Sequence, residues 1–439
     1  MPDPGERAML SLRRPAPAPA RGRAAARAAR EVTMTAAQPR TGDPLLGEDY
    51  FADPPRVLAE LRATDPLHYV AELDLWVATR YDDVRTLFTH PSVTNDRRAF
   101  KGYQAPPEGS YLHWLSAHNF FSAPPDEHAR LRRLVAGALT PRSVLRMEGQ
   151  IRDVVEGFAA PLRGRTGVVD LLAEYTDPIP NTVISRITGI PPMPNDEARF
   201  RQLATDVIRG ISPLLDEDAR QVSENAIVEL AEWVKALAAL RKESPEEDMI
   251  SDLLIAHEDE GPATVEEIVV VITGLVAAGS ETTVTGATMG LRTLFRHPDQ
   301  MARLRADRRL MPNAVRELLR YDFGTAALPR YALEDFTLRG RTIRKGQPIL
   351  LSFHGAHRDP EVFPDPDRFD ITRDTKALTI FGHGPHYCIG ANLAQLEMGC
   401  MLDALLDVLP EDAVLLEDEM RWERLGAFSR AASLPVDFG

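Results

Sequence analysis

Residues 381–390, Phe-Gly-His-Gly-Pro-His-Tyr-Cys-Ile-Gly, constrain this chain more than any other stretch. A small-residue loop leads into Cys388. Beyond it Ile389, Leu393, Leu396 and Met401 recur at roughly helical spacing, which predicts a helix starting near the cysteine. The unpaired N–H groups and positive dipole end of a helix start favour a thiolate. Gly382, Gly384 and Gly390 permit sharp turns and the close approach of something flat or bulky. A thiolate held with one face open suits the axial position of haem iron. Two plainer readings stand beside it. One is a buried cysteine acting as a small hydrophobe. The other is a zinc site made by His383, His386 and Cys388.

A second stretch, residues 264–296, has the pattern of a single helix of around 30 residues, on the order of 45 Å long. Residues 269–276 are apolar nearly all round, so its middle is expected to be buried. Ala277, Ala278, Gly279, Ser280, Glu281, Thr282 and Thr283 follow. Small residues let a backbone approach a flat cofactor, and glycine next to hydroxyls is where a buried helix bends or opens. A carboxylate beside a threonine hydroxyl can pass protons through water. The plainer alternative is a buried helix whose threonines bond their own carbonyls. Upstream, His128 and Arg132 are four apart on a helix over 126–139, two donors on one face, which suits an anionic group or else a solvated basic face. Glu317 and Arg320 are three apart and can pair.

These elements also resemble a known family. Phe-Gly-x-Gly-x-x-x-Cys-x-Gly is matched at every fixed position of the cysteine-ligand signature of the cytochrome P-450 family. Ala-Gly-x-Glu-Thr-Thr at 278–283 resembles its oxygen-activation motif, with Glu281 where the family more often has Asp. His128-x-x-x-Arg132 resembles its propionate-binding helix. Glu317-x-x-Arg320 with Pro366-Asp367-Arg368-Phe369 resembles its buried structural Glu–Arg–Arg group. The motifs fall in the family's order, and the resemblance runs from about residue 45 to the end.

The resemblance implies a mainly α fold with a smaller β region and haem b (iron protoporphyrin IX) between the long central helix and the cysteine loop. Cys388 takes the place of the iron ligand. His128, Arg132, Arg330, His386, Gly279, Phe381 and Gly382 take the places of cofactor-binding residues, and Thr282 and Glu281 those of the catalytic pair. The implied reaction is activation of O2 and insertion of one oxygen atom, by hydroxylation or epoxidation, into a bulky lipophilic substrate of secondary metabolism. Oxidative coupling on the same fold and a non-catalytic haem sensor are the alternatives. A sensor would not need the Gly279–Thr282 pattern, and a zinc hydrolase would leave Glu317, Arg320 and Arg368 unexplained. With no flavin, dinucleotide or iron–sulfur fingerprint in the chain, a separate ferredoxin and its reductase are implied. Arg130 and Arg133 are expected to offer them a basic surface.

Composition agrees with this. Of 439 residues 44% are apolar, enough for a large core, and a formal net charge of −14 argues against nucleic acid as the main partner. The two cysteines, Cys388 and Cys400, fit a reducing cytoplasm, and Cys400 reads as core. The longest apolar run, 268–278, is too short for a bilayer, so no membrane is expected, and a monomer is. Residues 1–40, rich in Ala, Arg and Pro, read as a disordered extension, and 41–439 as one domain. Helices are expected at 54–63 and 81–88, a hairpin over 67–79, and an irregular aromatic loop over 92–124 that in the family covers the substrate pocket. Residues 143–260, punctuated by prolines at 178–180 and 191–194, read as helix, with substrate-covering helices near 195–240. Strands follow around 331–353, with Ala326–Leu328 facing substrate, and a terminal hairpin has Phe428 near its tip.

Overall fold

Thr264 starts the longest element. Its hydroxyl accepts a hydrogen bond from Glu267 N–H (3.1 Å), and the Glu267 carboxylate accepts one from Thr264 N–H (2.8 Å), a reciprocal cap that fixes where the helix begins. From there Val265–Arg296 runs unbroken for 32 residues, about 48 Å. The structure is a computed structural model that describes residues 42–190, 197–209, 217–255, 261–324, 327–425 and 428–439. The expected extension over 1–40, the prolines at 191–194 and Ala326 lie outside the described residues.

Helices are numbered along the chain: α1 (Pro54–Thr64), α2 (Tyr81–Leu87), α3 (Tyr111–His118), α4 (Pro125–Ala136), α5 (Glu148–Ala159), α6 (Pro178–Thr188), α7 (Glu197–Arg209), α8 (Glu217–Glu243), α9 (Val265–Arg296), α10 (Met311–Tyr321) and α11 (Ala391–Val408). α9 is the axis of the core and packs against α6, α7, α8, α10 and α11. Its most apolar 18-residue window has a mean hydropathy of 1.6, long and apolar enough for a membrane span, but 72% of that window is buried inside the protein. The expectation that no apolar segment reaches that length is corrected here, and burial by neighbouring helices explains the apolar surface. The aromatic loop is also more ordered than expected. Ser110 caps α3 within it, and Tyr111, Trp114 and His118 share one face.

The main sheet has strand order β1-β2-β8-β5-β3, from β1 (Leu67–Val70), β2 (Leu75–Ala78), β8 (Pro348–Ser352), β5 (Ala327–Ala332) and β3 (Val93–Thr94). β2 and β8 are parallel, and β5 returns antiparallel with Arg330 opposite Ile349. Between β5 and β8, β6 (Phe336–Leu338) and β7 (Arg341–Ile343) form a hairpin. It turns at Arg339 (φ 50°) and Gly340 (φ 72°), the left-handed pair a tight two-residue turn requires. The terminal hairpin is β10 (Trp422–Leu425) and β11 (Phe428–Ala431), with Phe428 opposite Leu425. A three-stranded sheet was not anticipated. β4 (Val168–Asp170), inside the stretch expected to be helical, pairs with β12 (Pro435–Asp437), which pairs with β9 (Val414–Leu415).

The buried ionic group that anchors the approach to Cys388 differs from expectation in one member. Arg320 donates to both oxygens of Glu317 (2.7 and 2.9 Å), and both side chains are 0% exposed. The third member is Arg373, whose Nε donates to Glu317 at 3.1 Å, with its side chain 9% exposed. Arg368 is not that cation: its side chain is 69% exposed, and it contributes its carbonyl, which accepts from Arg373 at 2.7 Å. The group thus ties 364–373 to α10 through backbone as well as charge.

Candidate functional site

The loop before α11 is closed by backbone geometry. Gly382 (φ 76°) and Gly384 (φ 75°) lie in the left-handed region, and a Cβ on Gly384 would sit 2.5 Å from Thr89 Cγ2. Cys388 N–H donates to the Phe381 carbonyl (2.8 Å). α11 itself begins at Ala391 with Gly390 at its cap, so Cys388 lies just ahead of the first turn. The thiol is surrounded by protein yet opens to solvent-sized space. Burial pushes it up, while the Gly390 N–H and the nearby Arg132 guanidinium pull it down. Cys400 is buried in the core of α11.

Around this thiol the fold gathers two guanidinium cations and two imidazole rings. α4 supplies His128 and Arg132, β5 supplies Arg330, and the loop supplies His386. The His128 and His386 rings lie 4.1 Å apart between centroids. His128 is buried and its Nε2 has no hydrogen-bond partner. Arg330 is buried, donates to the Pro329 carbonyl (2.9 Å) and lies 5.0 Å from the Phe88 ring centroid, with no carboxylate beside it among the described residues. Asn95 donates to His386 Nδ1 at 3.3 Å. Burial pulls Arg330 down to about 10. His386 falls to about 4, through burial first and then repulsion from His128, Arg330 and Arg132. Burial also lowers His128 and Arg132. A buried guanidinium and a half-buried one, with no carboxylate beside them among the described residues, define an anion-binding pocket. A flat cofactor bearing carboxylates, with a thiol beside it, fits this donor set. The zinc alternative does not: among the described residues no group of three His, Cys, Asp or Glu is placed to hold a metal ion.

Between Ile268 and Leu291 α9 is buried except for a stripe. Gly274, Ala278, Thr282 and Thr285 are partly exposed at helical spacing, with Gly279 beside them. Phe120 packs over Gly274 and meets His128 edge-on at 5.9 Å, so this stripe adjoins the cation pocket. Thr282 Oγ1 donates to the Ala278 carbonyl (2.6 Å), the self-bonding alternative, and the helix does not open there. Gly279 is partly exposed beside Ala278, and a Cβ there would lie 3.1 Å from Ile184 Cδ1, so it also allows close packing on α6. Glu281 leaves the helix toward another space. Its Oε2 accepts from Thr205 Oγ1 of α7 (3.0 Å), and it lines a polar cavity of about 250 Å³.

Arg130 is not part of a free basic surface. It donates to Glu267 at 2.6 Å and so joins α4 to the capped start of α9. Sequence reasoning missed Thr205 and Arg373. Neither carries a local signal, because each acts on a residue far away in the chain.

A family model described as Cytochrome P450 matches residues 75–409. "Cytochrome P450 monooxygenase PikC" of Streptomyces venezuelae is 36% identical over 89% of this chain and 92% of its own length. "Mycinamicin IV hydroxylase/epoxidase" of Micromonospora griseorubida is 31% identical over 86% of this chain and 94% of its own. The solved structure of P450BioI in complex with hexadec-9Z-enoic acid ligated acyl carrier protein superposes with a TM-score of 0.78 at 30% identity, covering 89% of this chain and 99% of that one.

Proposed function

The chain belongs to the cytochrome P450 family, and we propose from that premise how its own residues serve the family's chemistry. It is a monooxygenase of secondary metabolism whose cofactor is haem b. When bound, haem supplies the centre at which O2 takes up two electrons and two protons, one oxygen atom entering the substrate and the other leaving as water.

Cys388 is the iron ligand. Its loop is pre-closed by the Phe381 carbonyl, and the Gly390 N–H steadies the sulfur's negative charge. His128, Arg132, Arg330 and His386 hold the two propionates, and the observation that carries this reading is that two buried donors, His128 and Arg330, and two half-buried ones, Arg132 and His386, gather around the thiol with no carboxylate beside the guanidinium groups among the described residues. Thr282 presents its hydroxyl on the open stripe of α9, and Glu281 supplies protons to it. The small residues Gly274 and Ala278 leave room beside that stripe for a bulky lipophilic substrate. Relatives that act on 6-deoxyerythronolide B and mycinamicin IV support that size class. Electrons come from a separate ferredoxin and its reductase.

The deciding measurement is the absorption spectrum of the reduced protein under carbon monoxide. A strongly red-shifted Soret band, lost in Cys388→His, is expected. A histidine-type band in the wild-type protein would remove Cys388 from the iron and with it this assignment.

A further inference from the structure

Glu281 and Thr282 are adjacent, but successive residues of a helix point about 100° apart, and here they face different spaces. Thr282 lies on the partly exposed stripe, whereas the Glu281 carboxylate is turned toward α7 and the polar cavity. What holds it there is visible. Thr205, on α7, is buried, and its hydroxyl donates to Glu281 Oε2 at 3.0 Å. Thr285, one turn along α9, lies 3.5 Å from Oε1.

Beyond this contact is the cavity of about 250 Å³. Its walls include the Arg201–Asp177 ion pair (3.0 Å), Gln202 and Thr288. A polar cavity of that size accommodates several waters, at roughly 30 Å³ each. A carboxylate at such a wall can exchange protons with the water. To pass them on toward one side of its helix it must also keep a fixed orientation, because a misaimed carboxylate loses the short proton path.

We propose that Thr205 is a positioning residue for Glu281: its hydroxyl fixes the carboxylate between the polar cavity and α9, so that protons drawn from cavity water reach the Thr282 side. The inference rests on the reading of Glu281 as the proton donor to that side. It adds a consequence that reading lacks. α7 belongs to the region expected to cover substrate, so the aim of the acid depends on where that helix lies. A plain interhelical bond is the competing account, and it requires no effect on the fate of electrons.

The test uses the haem-loaded enzyme with its donor proteins and a bulky lipophilic compound selected by its spin-state shift. Thr205→Val removes the hydroxyl at constant shape, Thr205→Ser keeps it, and Glu281→Gln removes the acid. Product and hydrogen peroxide per NADPH are measured beside thermal midpoint and substrate affinity. The Val variant is expected to lose product per NADPH about tenfold, the size expected for one hydrogen bond to a charged group, with peroxide making up the difference. Its affinity stays at the wild-type value, its midpoint falls by no more than about a few degrees, and the Ser variant recovers coupling. Infrared difference spectra of the substrate-free holoenzyme, Val minus wild type, are expected to show a carboxylate stretching band that vanishes in the Glu281→Gln background. If Val stays coupled, or its infrared spectrum shows no carboxylate change, while Glu281→Gln wastes electrons, Thr205 has no such role and Glu281 keeps its own. If Ser loses as much coupling as Val, packing accounts for the effect and the proposal is overturned. If Glu281→Gln is fully coupled, the reading of Glu281 falls and takes this inference with it. Thr205→Ala replaces Val, with the same criteria, if the Val protein does not retain haem.

Discussion

Arg330 is a guanidinium buried in β5 with no carboxylate beside it among the described residues, and burial pulls it down to about 10 from 12.5. That shift corresponds to about 3 kcal/mol of cost for keeping the charge inside the protein. The cost falls on the protein stripped of its cofactor and is offset when a propionate pairs with the cation. Arg330→Leu should therefore make the haem-free protein more stable by about 1–3 kcal/mol while the loaded enzyme loses haem faster. Denaturant unfolding of the stripped protein and haem transfer to apomyoglobin would measure the two, and a stripped protein that is destabilised would contradict the cost argument. Glu397, buried in α11 with Oε1 unpartnered, makes the same case with the opposite charge. Burial pushes it up to about 8 from 4.5. The folded protein keeps this proton where the unfolded chain has lost it. The contribution is harmless below pH 4.5, becomes more unfavourable as pH rises, and levels off above pH 8. At pH 7 it amounts to roughly 3 kcal/mol. Glu397→Gln should match wild type at pH 4.5 and exceed it progressively up to pH 8. Urea unfolding across that range would show it, and parallel curves would mean that the carboxyl finds a partner on ionising.

Among the elements, the segment between α10 and the Cys388 loop shows what a motif can and cannot tell. Glu317 and Arg320 were legible, because helical spacing dictates their contact. Arg368 was not, because an irregular loop gives no rule for where a side chain points. Arg373, five residues on, takes the buried place. Arg373→Ala should thus cost about 3 kcal/mol or more and speed haem loss, since it leaves Glu317 short of a partner and frees the carbonyls of Asp365 and Arg368. Arg368→Ala should stay within about 0.5 kcal/mol. Thermal unfolding of the two variants compares them directly, and equal losses would restore the motif's arginine. The same reasoning explains the other differences. β4 and β12 are three-residue strands far apart in the chain, too short for an alternating pattern. α3 was readable from the Ser110 cap and the 111–114–118 spacing, but its aromatic residues suggested a loop. Glu281 and Thr282 were read as a unit because they are adjacent, and helical geometry separates them.

At the scale of the whole molecule, segments distant in sequence come together beside α9, and one ladder of side chains links them. Lys235 of α8 lies 3.7 Å from the Tyr111 ring centroid. Tyr111 stacks on Trp114 (5.9 Å, 14°), Trp114 stacks on His118 (5.0 Å, 22°), and His118 Nδ1 lies 2.9 Å from the Glu127 carboxylate of α4. The ladder spans from α8, through α3, to the helix that carries His128 and Arg132. If α3 and α8 cover the substrate pocket, as the family resemblance of residues 92–124 and 195–240 implies, substrate exchange requires this contact to open. A cation over an aromatic ring at a partly exposed site contributes about 0.5–1 kcal/mol. Lys235→Met keeps the length of the side chain and removes the charge, so substrate release should quicken about two- to fivefold, since 1 kcal/mol is about a fivefold change in rate. Association should quicken with it, because both directions pass through the open form, and the equilibrium affinity should move less than either rate. Stopped-flow spin-state kinetics resolve the two rates. A change in affinity with unaltered release would place Lys235 in the binding surface, and unaltered rates in both directions would mean that substrate enters by a route this ladder does not guard.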